Sequence, residues 1–119
     1  MHQKNLFLLL LISIQFYSTA QNYVTLHEQC NYSGRQYTLE PGNYKAYQMK
    51  IGNDKLNSFQ VPSGFKITLY ENDDYKGKSK TFYASENCLG PEWRSAASSI
   101  VVEGPYGYQQ PGGGGYGNE

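Results

Sequence analysis

The feature that most constrains this chain is an internal repeat. Val24-Thr25-Leu26-His27-Glu28 aligns with Ile67-Thr68-Leu69-Tyr70-Glu71 at an offset of 43. At the same offset Tyr32 falls on Tyr75 and Gly34 on Gly77. Ser58-Phe59-Gln60-Val61 then matches Ser99-Ile100-Val101-Val102 at an offset of 41. Both halves open and close with the same elements, so one structural unit occurs twice in a short chain.

The repeated unit reads as strands. Tyr23 to Glu28 and Lys66 to Glu71 alternate apolar and polar residues, the period of a half-buried strand. Arg35 to Leu39 and Lys78 to Tyr83 are expected as second strands, Tyr44 to Met49 as a third, and Phe59 to Val61 and Ile100 to Val102 as fourth strands. Glu40-Pro41-Gly42-Asn43 forms a turn cluster, and Pro62-Ser63-Gly64 links the halves. No window keeps a helical period over ten residues. Twelve Tyr and 13 Gly favour strands and turns. The expected class is all-β, with two Greek-key motifs packed as a sandwich.

The ends differ from this unit. His2-Gln3-Lys4, the apolar stretch from Leu6 to Ile14 and the small residues Ser18-Thr19-Ala20 read as a secretory signal cleaved before Gln21. The apolar stretch is short of the roughly 20 residues of a membrane span. From Gly104 to Glu119 the chain holds 7 of its glycines, two prolines, three tyrosines and no aliphatic residue, the composition of a flexible tail. The organisation is therefore a signal at 1–20, a folded domain at 21–103 (motif one 23–61, motif two 66–103) and a tail at 104–119. The expected location is extracellular, or periplasmic in a bacterium, with no membrane contact after cleavage.

Charge and chemistry exclude several classes. Ten basic and ten acidic residues give zero formal charge, without the basic excess of a nucleic-acid binder. His27 is the sole histidine after the signal, which rules out a serine triad alongside any second use of it. His27 and Cys30 are the nearest nucleophile–base pair, and a disulfide at Cys30 would remove the thiolate. Asn31-Tyr32-Ser33 is an Asn-x-Ser acceptor pattern. Export places the two cysteines, Cys30 and Cys88, in an oxidising compartment, where an even count is usually paired. No enzyme activity is expected.

Tyr70-Glu71-Asn72-Asp73-Asp74-Tyr75-Lys76-Gly77 resembles the aromatic-x4-aromatic-x-Gly signature of βγ-crystallin domains. His27 to Gly34 matches it with His at the first aromatic position. Asn53-Asp54-Lys55-Leu56-Asn57-Ser58 is similar to that family's calcium motif, with Asn57 at the fifth position. Arg94-Ser95-Ala96-Ala97-Ser98-Ser99 stands at the matching place in the second half and keeps only the serines. The resemblance covers Tyr23 to Glu103. It implies a microbial, non-lens type of βγ-crystallin domain, monomeric and non-enzymatic, with a structural or stress role.

It also implies how the signature works. The first hairpin of each half folds over its own sheet, Gly34 and Gly77 hold its crowded backbone, His27 with Tyr32 and Tyr70 with Tyr75 form corners, and Ser58 and Ser99 bond the fold. Weak calcium binding at one or two sites is implied, in the range of extracellular modules at ~10⁻⁴–10⁻³ M. One uses the Glu28 and Ala96 carbonyls, the Ser98 hydroxyl and Asp54. The other uses the Glu71 and Lys55 carbonyls, the Asn57 side chain and Ser95. In the resembled fold one half's hairpin lies beside the other half's motif loop, which implies a Cys30–Cys88 bridge joining the halves. Two other functional readings stay open: a protease-inhibitor or killer-toxin-like binding module, and a coat or matrix component whose tail meets a protein or polysaccharide.

Overall fold

The computed structural model describes residues 21–105. The expected signal at 1–20, and the part of the expected tail beyond Pro105, lie outside the described residues. Seven strands make up the described fold: β1 (Val24–Gln29), β2 (Ser33–Leu39), β3 (Gly42–Tyr44), β4 (Ser58–Gln60), β5 (Lys66–Asn72), β6 (Lys76–Phe82) and β7 (Ser99–Glu103). They form two antiparallel sheets, ordered β2-β1-β4 and β3-β7-β5-β6.

The repeat survives in the register. Val24 pairs with Leu39 and His27 with Gln36, as Ile67 pairs with Phe82 and Tyr70 with Ser79. Both hairpins carry a bulge at the same place, between His27 and Gln29 and between Tyr70 and Asn72. His27 faces Ser58 across β4, and Tyr70 faces Ser99 across β7. Alternation along these strands sends Val24, Leu26, Ile67, Leu69, Ile100 and Val102 inward, all at 2% exposure or less. Phe59 meets Phe82 edge to face at 5.1 Å. The loops close the core with Met49, Leu56, Leu89 and Trp93.

One expected strand is corrected, and its counterpart in the second half is reduced to a bridge. Tyr44 to Met49 is not a strand: β3 ends at Tyr44, and Ala46–Gln48 is a single 3-10 turn. Hydrogen bonds from outside the strand pattern cause this. The Ala46 amide donates to Asp73 Oδ1 in the other half at 2.8 Å, and the Lys45 amide donates to Gln48 Oε1 at 2.9 Å. These bonds take the amides that a ladder would need. The second half has no third strand among the described residues. Glu86 alone stands there, exchanging backbone bonds with Phe59 of 3.0 and 3.1 Å. Gly90 and Pro91 follow closely, and Gly and Pro end strands for want of a side chain and an N–H.

The strands also divide unevenly between the sheets. By sequence β3 belongs to the first half, yet it pairs with β7 in the second half's sheet.

Candidate functional site

Two oxygen clusters lie where the motif loops of the halves meet, and each is built by the same local steps. The first hairpin of each half turns through consecutive left-handed residues, Asn31 and Tyr32 in one (φ 61° and 57°) and Asp74 and Tyr75 in the other (φ 59° and 61°). Gly34 and Gly77 follow at φ 80° and 81°. This conformation is cheap for Gly and strained for other residues. A Cβ on Gly34 would come within 3.3 Å of the Gln29 backbone nitrogen.

Fully buried serines hold the strain. Ser58 Oγ accepts from the Tyr32 amide at 3.1 Å and donates to the Gln29 carbonyl at 2.6 Å. Ser99 repeats both bonds with Tyr75 at 2.9 Å and Asn72 at 2.7 Å. The corner rings stack edge-on, His27 on Tyr32 at 5.6 Å and Tyr70 on Tyr75 at 5.8 Å. Burial pushes the Tyr75 phenol up from its ordinary pKa.

The motif loops then cross between halves. Asp54 and Ser95, the second position of each motif, are left-handed at φ 58° and 52°. The Asp54 amide donates to the Ala97 carbonyl at 3.1 Å, and the Ser95 amide donates to the Leu56 carbonyl at 3.2 Å. Each second-position side chain is thereby carried to the other half's fifth position. Ser98 Oγ donates to Asp54 Oδ1 at 3.1 Å. Asn57 Nδ2 donates to Ser95 Oγ at 2.9 Å and to the Glu28 carbonyl at 2.7 Å.

These contacts correct the expected grouping. Glu28 was expected beside Asp54 and Ser98, and Glu71 beside Asn57 and Ser95. The hairpin carbonyls exchange places. Strand pairing sets this: the Asn57 amide donates to the His27 carbonyl and the Ser98 amide to the Tyr70 carbonyl, which keeps each fifth position beside its own hairpin. One cluster therefore joins the Glu28 carbonyl, Asn57 and Ser95. The other joins Ser98 and Asp54 beside the Tyr70–Glu71 stretch. Lys55 and Ala96 lie in the same two loops, between the residues that make the contacts.

Calcium takes six to eight oxygens from carbonyls, hydroxyls, carboxylates and water, and the donor types present fit that chemistry. Among the described residues Asp54 is the one carboxylate hydrogen-bonded within either cluster, through Ser98. In the other, Asn57 Oδ1 is a buried oxygen without a partner. Among the described residues no three His, Cys, Asp or Glu side chains group as a metal site, so the nitrogen and sulfur donors of a zinc-type site do not assemble there. Cys30 is bridged to Cys88, with Cα atoms 4.5 Å apart. The expected pairing holds, and the bridge leaves His27 without a thiolate partner. His27 is buried, with Nε2 at 3.0 Å from Gln60 Oε1. Among the described residues no helix is long and apolar enough to cross a membrane.

Two pseudo-symmetric halves, each with a folded first hairpin clamped by a buried serine, define the crystallin class of Greek-key proteins. The chain belongs to the βγ-crystallin superfamily. The Beta/Gamma crystallin family profile matches residues 14–61. A βγ-crystallin domain from Clostridium beijerinckii superposes with a TM-score of 0.66 at 35% identity, covering 67% of this chain and 95% of that one. Development-specific protein S of Myxococcus xanthus is 33% identical over 85 residues, 69% of this chain and 49% of that protein. Human gamma-crystallin D is 37% identical over 87 residues, 68% of this chain and 50% of that protein. The chain thus spans about half the length of the curated relatives it matches.

Proposed function

We propose that the chain is a secreted, non-enzymatic structural domain stabilised by calcium at the two motif-loop clusters. The observation that carries this reading is the contact of Asp54 with Ser98 across the halves at 3.1 Å. It sets a carboxylate and a hydroxyl from different halves side by side at the junction, so an ion bound there would tie the halves together. Export is supported by the cysteine pair, whose oxidation suits a compartment outside the cytosol. A structural rather than catalytic role is supported by the loss of the Cys30 thiolate to the bridge. Asp54, Ser98 and the Glu71 and Ala96 carbonyls would hold one ion; Asn57, Ser95 and the Glu28 and Lys55 carbonyls would hold the other. The ion would supply positive charge that offsets the oxygens gathered at the junction.

Calorimetric titration and thermal unfolding in calcium test this. Binding to the native state raises stability by about 2.7 kcal/mol at a hundredfold excess over Kd, and Asp54→Ala reduces the rise. An unfolding midpoint that saturating calcium leaves unmoved refutes the calcium reading.

A further inference from the structure

The two clusters differ in what stands at the fifth motif position. In one, the Ser98 hydroxyl donates a single hydrogen bond, to Asp54. In the other, the Asn57 amide nitrogen donates two, to the Glu28 carbonyl at 2.7 Å and the Ser95 hydroxyl at 2.9 Å. An amide NH2 set between two oxygens satisfies them as a cation would. The reverse orientation would bring Asn57 Oδ1 against the Glu28 carbonyl, two acceptors facing each other, so the neighbours fix which way the amide points. The residue's backbone is also fixed: its amide donates to the His27 carbonyl at 3.0 Å, and its carbonyl accepts from the Leu89 amide at 2.9 Å. Only the side chain is left to turn.

We infer that Asn57 is a built-in plug, whose amide NH2 satisfies the Glu28 and Ser95 oxygens in the absence of metal and so closes this cluster to calcium. The inference rests on the calcium reading proposed above. To bind an ion, the carboxamide turns its oxygen inward and gives up both hydrogen bonds, which lowers apparent affinity by about tenfold or more. Calcium therefore enters at the Asp54–Ser98 cluster first. The second ion binds only at higher concentration, and the two halves respond to calcium unequally in spite of their repeat.

The test compares wild type with Asn57→Asp, by calorimetric calcium titration and by thermal unfolding with and without metal. A carboxylate cannot donate to the Glu28 carbonyl and repels it. The variant should therefore melt at lower temperature without calcium, yet bind the ion about tenfold more tightly, with a second equivalent filled in the wild type's first range. A residue with a purely structural role would give the first effect and not the second. In metal-free wild type the Asn57 side-chain NH2 should also give a pair of NMR signals protected from solvent exchange. If the aspartate variant does not fold, Asn57→Ser, with a hydroxyl as at Ser98, should raise the stoichiometry in the same range. Calcium binding identical in wild type and variant overturns the plug and leaves the calcium reading standing. No binding by either protein overturns both. Freely exchanging Asn57 NH2 protons overturn the plug alone.

Discussion

Removing the Cys30–Cys88 bridge should cost this fold about as much as truncating a large core side chain. The bridge spans a sequence separation of 58, so in the unfolded chain it closes a loop that covers most of the domain. Chain-entropy arithmetic for that loop gives roughly 14 cal/mol/K, or about 4 kcal/mol at 25 °C. The folded contacts around it do not depend on the sulfurs. The Asn31 amide donates to the Asn87 carbonyl, Leu89 to Asn57, and Glu86 and Phe59 bond each other. The Cys30→Ala/Cys88→Ala double variant should therefore keep the native fold and lose stability through its unfolded state. At 4–8 °C per kcal/mol for a domain near this size, its midpoint should fall by roughly 20 °C. Urea titration followed by circular dichroism measures the loss directly. The slope m should rise as well, because the unbridged chain expands and exposes more surface when it unfolds. A loss below about 1 kcal/mol with m unchanged would refute the reasoning, since it would mean that the unfolded chain is already held compact by something other than the bridge.

Ser58→Ala and Ser99→Ala should each destabilise by about 2 kcal/mol, because each removes two hydrogen bonds at a fully buried site and leaves a strained hairpin amide unpaired; denaturant titration should give matching values for the two, and an undisturbed midpoint in either would show that the clamp is not what holds its hairpin. Asp73 lies below its ordinary pKa of 3.8, chiefly through the hydrogen bond from the Ala46 amide and secondarily through that from Asp74. A lowered carboxylate pKa gives stability that is present above 3.8 and is lost as pH falls through the folded value. The Ala46 amide signal should thus report loosening of the 3-10 turn only in that acid range, and Asp73→Asn should abolish the titration. A midpoint above 3.8 would contradict it.

How far the sequence discloses this fold depends on which residues carry the signal. The repeat of Leu26 on Leu69 and of Gly34 on Gly77 is visible because strand alternation and left-handed turns constrain residue type directly. The third strands are not. β3 is three residues long, and its end is set by Asp73, which lies far along the chain and leaves no mark near Tyr44. The matching strand of the second half shrinks to the single bridge at Glu86, too short for any periodicity. The members of the oxygen clusters are implied by the resemblance of the two motifs to those of βγ-crystallin domains, but the hairpin that each fifth position faces is not legible in the sequence. That choice follows from the pairing of His27 with Ser58 and of Tyr70 with Ser99, and such a register is a property of two distant strands together. The unpartnered Asn57 Oδ1 has no sequence signal beyond the departure from a hydroxyl at that position.

The placement of β3 has a consequence for how the molecule comes apart and comes together. A nick in the Pro62–Gly64 linker would not free the halves, because the Cys30–Cys88 bridge still joins the two pieces covalently and the upstream piece still has a strand bonded to the edge of the downstream piece's sheet. The exchange runs both ways, like hands clasped with fingers crossed: β3 of the first half bonds β7 in the second half's sheet, and Glu86 of the second half bonds Phe59 in the first half's sheet. Assembly is bound by the same geometry. β3 has no partner until β7 is made, and Phe59 lacks its backbone bonds to Glu86 until that residue is made, so the first half cannot finish and wait. The order of synthesis along the chain therefore gives neither half a head start to a completed fold, and both must close in one cooperative event.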